Sequence, residues 1–73
     1  MASLYDLKLN QRGIIQSIKA SKNISERLHN FGLIKGVSVV YEARAPLGSP
    51  RIYKCLNTKI AIRNKIARQI EII

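Results

Sequence analysis

The sequence predicts an all-β fold with one short helix, closed into a small β-barrel that forms a single domain over residues 1–73. The chain is long enough for one domain and no more. Isoleucine and valine supply 15 of its 73 residues, and branching at Cβ favours the extended backbone of strands. Short apolar segments alternate with turn residues, and closure into a barrel removes sheet edges that so short a chain could not otherwise protect.

The first strand is predicted over residues 12–19, where three isoleucines follow a glycine. A short helix is predicted next, in the segment SKNISERLHNFGL. We expect Asn23 to be its N-cap, with Glu26 three residues later in a capping-box-like arrangement. Gly32 should supply the left-handed position at which the helix ends.

The predicted helix has one apolar face. Ile24, Leu28 and Phe31 recur at i, i+4 and i+7, a spacing that places side chains on the same side of an α-helix. We expect this face, Phe31 included, to belong to the core, together with Leu33 and Ile62 elsewhere in the chain.

Four more strands are predicted in the rest of the chain. They cover residues 37–44, 51–56, 59–62 and 69–72. Apolar and polar residues alternate in the first of these, which is typical of a half-buried strand and directs Tyr41 inward or to the barrel rim. The segment APLGSP (45–50) contains two prolines and a glycine, which predicts a loop. Asn57-Thr58 is the expected turn before the strand of residues 59–62. Residues 63–67 could form one helical turn.

Residues for catalysis or metal binding are scarce. His29 and Cys55 are each the only residue of their type, whereas zinc sites need three or four protein ligands. We expect Cys55 to be a buried apolar filler and His29 to be an ordinary surface side chain. The four carboxylates are spread along the chain, and no glycine-rich phosphate-binding motif is present. The sequence therefore predicts a protein without enzymatic activity, cofactor or metal.

The charge balance is strongly positive, with 13 Lys and Arg against four Asp and Glu and a net charge of +9. Such an excess favours acidic partners, namely nucleic acid, an anionic membrane surface or an acidic protein face. Nucleic acid would need aromatic platforms for base stacking, and Tyr53 is the only aromatic residue that we expect to be exposed. No apolar run approaches the roughly 20 residues that span a bilayer, so we expect a cytoplasmic protein that does not insert into the membrane.

Six motifs, spread from one end of the chain to the other, carry a family resemblance. They are LxxL (4–7), GIIxxI (13–18), RLxxFGL (27–33), GVxV (36–39), APLGSP (45–50) and IAIRxxxAxxI (60–70). In this order they extend over nearly the whole chain, and together they resemble the family of ferrous iron transport protein A (FeoA).

The resemblance implies an SH3-like β-barrel and a non-enzymatic accessory role in ferrous iron uptake. The partner that it implies is the membrane ferrous iron transporter, whose cytoplasmic part is a GTP-hydrolysing domain. Docking there would place the protein at the inner face of the plasma membrane, where positive charge favours anionic lipid. The alternative function is that of a basic SH3-like barrel that binds RNA or DNA. Exposed edges in so small a barrel would also allow strand-paired homo-oligomers.

Four positions differ from the pattern that is usual in this family. Asn10 and Asn57 stand in place of glycines, Lys35 in place of a proline and Ser49 in place of an aspartate. Asparagine can still adopt turn conformations. The serine removes a carboxylate from the loop, which weakens any role of that loop in metal binding.

The candidate partner surface is centred on the loop of residues 45–50, because loops on a rigid barrel commonly carry function. The predicted partner-binding residues are Ala45, Pro46, Leu47, Gly48, Arg51, Tyr53 and Arg63. Two alternatives stay open: the loop could be only a rigid hairpin connection, and Arg63 could brace the barrel instead of contacting a partner.

Overall fold

The computed structural model describes residues 2–73. Within them, six antiparallel strands form one sheet in the spatial order β1-β6-β2-β3-β4-β5. The strands are β1 (Ala2–Ser3), β2 (Arg12–Ile18), β3 (Ser38–Arg44), β4 (Arg51–Cys55), β5 (Thr58–Ile62) and β6 (Ile70–Ile72). A 3₁₀ turn (Leu4–Asp6) and two helices, α1 (Lys22–Asn30) and α2 (Asn64–Ala67), complete the chain. The predicted all-β fold with a short helix is confirmed, and β1 and the 3₁₀ turn are additions to it.

The ends of the sheet are brought together by side chains. Register shifts in β2 and β3 are bulges that increase the twist of these strands. The curl brings β4 to the 3₁₀ turn that follows β1. There the Arg51 guanidinium donates to the Tyr5 carbonyl oxygen at 2.8 Å, and the Tyr53 hydroxyl lies 3.5 Å from the Leu4 carbonyl oxygen. These contacts close the barrel between β4 and the 3₁₀ turn that follows β1.

Helix α1 begins earlier than the sequence suggests. Ser21 is the N-cap: its backbone is extended, and its hydroxyl accepts a hydrogen bond from the Ile24 N–H at 3.4 Å. The predicted cap, Asn23, lies inside the first turn, so that prediction is wrong. Serine and asparagine are comparable N-caps. Ser21 precedes Asn23 in the chain, so the helix already begins at Lys22.

Helix α1 ends at the predicted glycine. Gly32 has φ +95°, and the Leu33 N–H returns to the Leu28 carbonyl oxygen at 3.0 Å, as in a Schellman motif. This reversal directs Leu33 into the core, where it is fully buried. Phe31 is therefore left at the surface with 52% of its area exposed, and the expectation that Phe31 is a core residue is wrong.

The β4–β5 turn is shifted by one residue from its predicted position. Cys55 pairs with Thr58, which leaves Leu56 and Asn57 as the two turn residues. Leu56, not Asn57, has a positive φ, at +58°. The register is set by burial, because Cys55 must face inward like Tyr53 two residues before it.

The core lies inside the curled sheet and beneath α1. It consists of Leu4, Leu7, Ile15, Leu28, Leu33, Val39, Tyr41, Tyr53, Cys55, Ile60, Ile62, Ala67, Ile70 and Ile72. The predicted burial of Leu28, Leu33, Tyr41, Cys55 and Ile62 is confirmed. No helix among the described residues is long and apolar enough to cross a membrane.

Candidate docking surface

A groove of about 630 Å³ runs between α1 and the segment formed by β5 and α2. Its floor consists of the buried side chains of Leu28, Ile60 and Ile62. Ile24 is half-buried in its wall, and Phe31 presents its exposed ring there. The groove exists because α1 inserts only Leu28 deeply, so the flanking members of its apolar face remain open to solvent.

The rim of the groove is basic. Arg27 of α1 stands on one side, and Arg63 and Lys65 stand on the other. Among the described residues that line the groove, none is Asp or Glu. An apolar floor beneath an uncompensated positive rim suits a ligand that carries both apolar and acidic groups.

Strand β5 gives the groove an unpaired backbone edge. It ends the sheet order, so within residues 2–73 only β4 forms a ladder with it. Residues 60–63 of this strand and its continuation line the groove. An open edge of this kind presents backbone N–H and C=O groups to whatever enters.

The loop of residues 45–50 has a defined conformation. The Gly48 N–H donates to the Ala45 carbonyl oxygen at 2.8 Å, and the Ala45 N–H donates to the Pro50 carbonyl oxygen at 3.1 Å. Gly48 has φ +89°, which favours glycine at this position. Leu47, at the tip, is 97% exposed. The loop is thus a rigid connection that also presents an apolar side chain to solvent.

Hydrogen bonds hold this loop against the start of α2. The Asn64 side-chain amide donates to the Gly48 carbonyl oxygen at 3.0 Å, and the Asn64 backbone N–H donates to Ser49 Oγ at 3.2 Å. The serine hydroxyl therefore satisfies an N–H of the first turn of α2, as a local N-cap would. Because Arg63 immediately precedes Asn64, the loop and Arg63 lie next to each other beside the groove.

Arg51, in contrast, is occupied within the fold. Its guanidinium carbon lies 4.1 Å from the centre of the Tyr5 ring and 4.5 Å from that of Tyr41. Arg68 lies 4.3 Å from the centre of the same Tyr5 ring. Together with its hydrogen bond to the Tyr5 carbonyl, this stacking makes Arg51 a brace of the barrel.

Tyr53 is completely buried, so the expectation that it is an exposed aromatic platform is wrong. Tyr53 and Cys55 lie two residues apart on the same face of β4, and this face points into the core. Burial raises the pKa of the Tyr53 hydroxyl, although the neighbouring Arg51 acts in the opposite direction. The side chain is therefore neutral and internal.

The Cys55 thiol is also internal. Burial raises its pKa, and Sγ donates to the Gly32 carbonyl oxygen at 3.6 Å. Within residues 2–73, no three His, Cys, Asp or Glu side chains are grouped closely enough to hold a metal ion. His29 is exposed on α1, as expected.

The groove is not apparent from the sequence, whereas the loop of residues 45–50 and Arg63 are candidates that the sequence itself suggests. The groove needs α1 to lie beside β5, a long-range contact that no local pattern indicates. The one signal for it in the sequence is the i, i+4, i+7 spacing on α1, which by itself predicts a core-facing helix.

Comparison with known protein families identifies this chain's family. The sequence matches the FeoA domain over residues 2–73. Among the curated proteins, none matches it.

Solved structures agree with this match. The FeoA protein of Chlorobium tepidum is 28% identical, with a TM-score of 0.92 over 96% of this chain and 67% of that one. Iron(II) transport protein A of Clostridium thermocellum is also 28% identical, with a TM-score of 0.88 over 96% of this chain but only 43% of that one.

A third structure concerns the fold most directly. FeoA of Stenotrophomonas maltophilia, solved in complex with zinc, is 26% identical, with a TM-score of 0.86 over 100% of this chain and 91% of that one. It is described as a prokaryotic SH3 domain protein and a candidate activating factor of ferrous iron transport. The expected SH3-like fold is thereby confirmed.

Proposed function

Because the chain belongs to the FeoA family, we propose that it is a non-enzymatic, cytoplasmic accessory protein of ferrous iron uptake. Its partner would be the cytoplasmic GTP-hydrolysing domain of the membrane ferrous iron transporter. The observation that carries this proposal is the apolar groove with its basic rim, which lies beside a rigid exposed loop.

Exposed apolar side chains support docking on a protein. Phe31 in the groove and Leu47 on the loop expose large apolar areas, whereas soluble domains keep contiguous patches of this kind small. The loop is held to α2 by Asn64, so little conformational entropy is lost when a partner orders it. The loop is bonded to Asn64, which lies between Arg63 and Lys65 of the groove, and we treat both features as one candidate surface, called the docking surface (the groove lining and residues 45–50).

The charges of the docking surface define the partner's chemistry. None of the described residues that line the groove is acidic, so the charges of Arg27, Arg63 and Lys65 are not neutralised there. The matching segment of the transporter domain would carry apolar side chains flanked by Asp or Glu. Charge complementarity of this kind accelerates association and makes the complex sensitive to salt.

A pull-down with the transporter's purified cytoplasmic domain tests the proposal. The wild-type protein should retain the domain at low salt and release it at high salt. Phe31→Ser should weaken the complex by at least about tenfold, because a central aromatic contact commonly contributes about 2 kcal/mol. Leu47→Ser tests the loop in the same way. Leu9→Ser is the matched control, since Leu9 is 56% exposed but does not line the groove.

The outcomes distinguish a failure of docking itself from docking through a different surface of the barrel. If no domain is retained at low salt with either GDP or GTP, direct docking is wrong. If Leu9→Ser weakens the complex as much as Phe31→Ser, the complex forms elsewhere on the barrel. Circular dichroism should show all three variants folded, because each substitution is at an exposed position.

The alternative, a barrel that binds RNA or DNA, depended on Tyr53 as a stacking platform. That side chain is internal, so base stacking would have to use other residues. A gel shift with a salt titration distinguishes the two proposals, because neutralised phosphates give a linear loss of log affinity with log salt.

A further inference from the structure

The β4–β5 turn holds a leucine in an unusual position. Leu56 is 70% exposed and has a left-handed backbone conformation, with φ +58°. Asparagine or glycine is favoured at such a φ, and a bulky apolar residue is uncommon there. The position thus combines an exposed apolar side chain with an unfavourable backbone, and it contributes nothing to the core.

A second exposed aliphatic side chain lies on the neighbouring connection. A Cβ atom at Gly32 would be 3.6 Å from Leu56 Cδ1, so the turn lies against the chain that leaves α1. Two residues further along this chain, Ile34 is 47% exposed. Lys35 follows directly and is exposed as well.

Basic residues lie beside Leu56 in the structure and next to Ile34 in the sequence. Lys54 and Lys59 are paired across the β4–β5 hairpin. Arg12, Lys54 and Leu56 line one shallow depression together with Gly36, which follows Lys35. We call this set the tip surface: Arg12, Ile34, Lys35, Lys54, Leu56 and Lys59.

One acidic residue adjoins the tip surface. Glu42 lines the same depression, and its carboxylate lies 3.5 Å from Lys59 Nζ. Within residues 2–73 this is the only ion pair. Arg12, Lys35 and Lys54 therefore keep uncompensated positive charge around the two aliphatic side chains.

We propose that the tip surface docks on an anionic lipid bilayer. The side chains of Leu56 and Ile34 reach the boundary between headgroups and acyl chains, and the basic residues bind lipid phosphates. Lipid fits better than nucleic acid because the protruding residues are aliphatic, whereas bases stack on aromatic or guanidinium planes. The contact is peripheral and involves single side chains, which modifies the expectation of no membrane insertion. It goes beyond the proposed function and needs no transporter.

Co-sedimentation of the full chain with lipid vesicles tests this inference. Vesicles of equal parts phosphatidylglycerol and phosphatidylcholine should bind the protein at low salt, and pure phosphatidylcholine vesicles should not. Leu56→Asn should weaken binding by about tenfold, equivalent to about 1.4 kcal/mol, because part of a leucine side chain leaves the bilayer. Lys54→Gln should weaken it by about fivefold.

The leucine variant separates lipid binding from folding. Asparagine tolerates a positive φ better than leucine does, so Leu56→Asn should keep or raise the thermal midpoint while it weakens vesicle binding. Leu47→Asn is the matched control: Leu47 is an exposed leucine at the opposite end of β4 and should leave vesicle binding unchanged.

Three results would overturn the inference. The first is no binding to anionic vesicles at low salt. The second is an equal loss with Leu47→Asn and Leu56→Asn. The third is that the protein binds a single-stranded RNA but not the vesicles, and that Leu56→Asn leaves the RNA binding unchanged. The vesicle assays are done without the transporter domain, and the pull-down is done without lipid. The lipid proposal and the proposed function can therefore fail independently.

Discussion

Replacing Arg51 by leucine should destabilise the barrel by about 2 kcal/mol. Its charged hydrogen bond to the Tyr5 carbonyl at 2.8 Å contributes about 1.5 kcal/mol. Stacking on Tyr5 and Tyr41 at 4.1 and 4.5 Å adds about 0.5–1 kcal/mol for each ring. Arg51 Nε is buried without a hydrogen-bond partner, and this cost offsets about 1 kcal/mol of the stabilisation.

Thermal unfolding followed by circular dichroism measures the loss. In a domain of this size, 2 kcal/mol lowers the midpoint by about 10 °C. Arg44→Leu is the matched control, because Arg44 pairs with Arg51 across the β3–β4 ladder but is exposed, and it should change stability by less than about 0.5 kcal/mol. Equal midpoints for the two variants would refute the role of Arg51 as a brace.

Two further predictions concern the loop and the buried tyrosine. Ser49→Ala should lower stability by about 1 kcal/mol, because the Asn64 N–H loses its acceptor; Ser49→Asp should retain or increase stability, because a carboxylate at a helix N-terminus is favourable. Urea unfolding measures both, and equal midpoints for Ala and Asp would contradict the capping role. Burial raises the pKa of Tyr53 above its ordinary value of 10.0, so its stabilising effect is complete below pH 10 and is lost as the pH rises through the higher folded-state pKa. Tyr53→Phe should therefore flatten the loss of stability above pH 10, and an unchanged alkaline slope would contradict this assignment.

The strands could be predicted because each is a short alternating or β-branched segment bounded by turn residues. Residues 37–44 show this best: alternation placed Tyr41 inward, and it is buried. Local signals also identified the glycine at the end of α1 and the loop of residues 45–50. In each case the physical cause lies within a few residues of the chain.

The wrong predictions share a different cause. Phe31 has the spacing of a core residue, but the reversal at Gly32 sends Leu33 into the core instead. Tyr53 is predicted to be exposed, yet the packing of the barrel turns inward the face of β4 that carries both Tyr53 and Cys55. The turn at Leu56 depends on the register that burial of Cys55 imposes. Each outcome is decided by tertiary packing, which local pattern does not contain.

The candidate site likewise has parts that local sequence predicts and parts that depend on tertiary contacts. The loop was predictable from its prolines and glycine, whereas its attachment to Asn64 depends on a contact between residues distant in sequence. The groove and its basic rim arise only when α1 lies beside β5. Composition indicated the sign of the charge but not its location.

The proposed docking on the transporter's GTP-hydrolysing domain uses the groove and the loop. Nuclear magnetic resonance tests it directly, because a chain of 73 residues gives a resolvable amide spectrum. Titration with the unlabelled domain should shift the amide signals of residues 24–31, 45–48 and 60–66. Shifts confined to the outer face of β2 and β3, or no shifts with either GDP or GTP bound, would contradict the account.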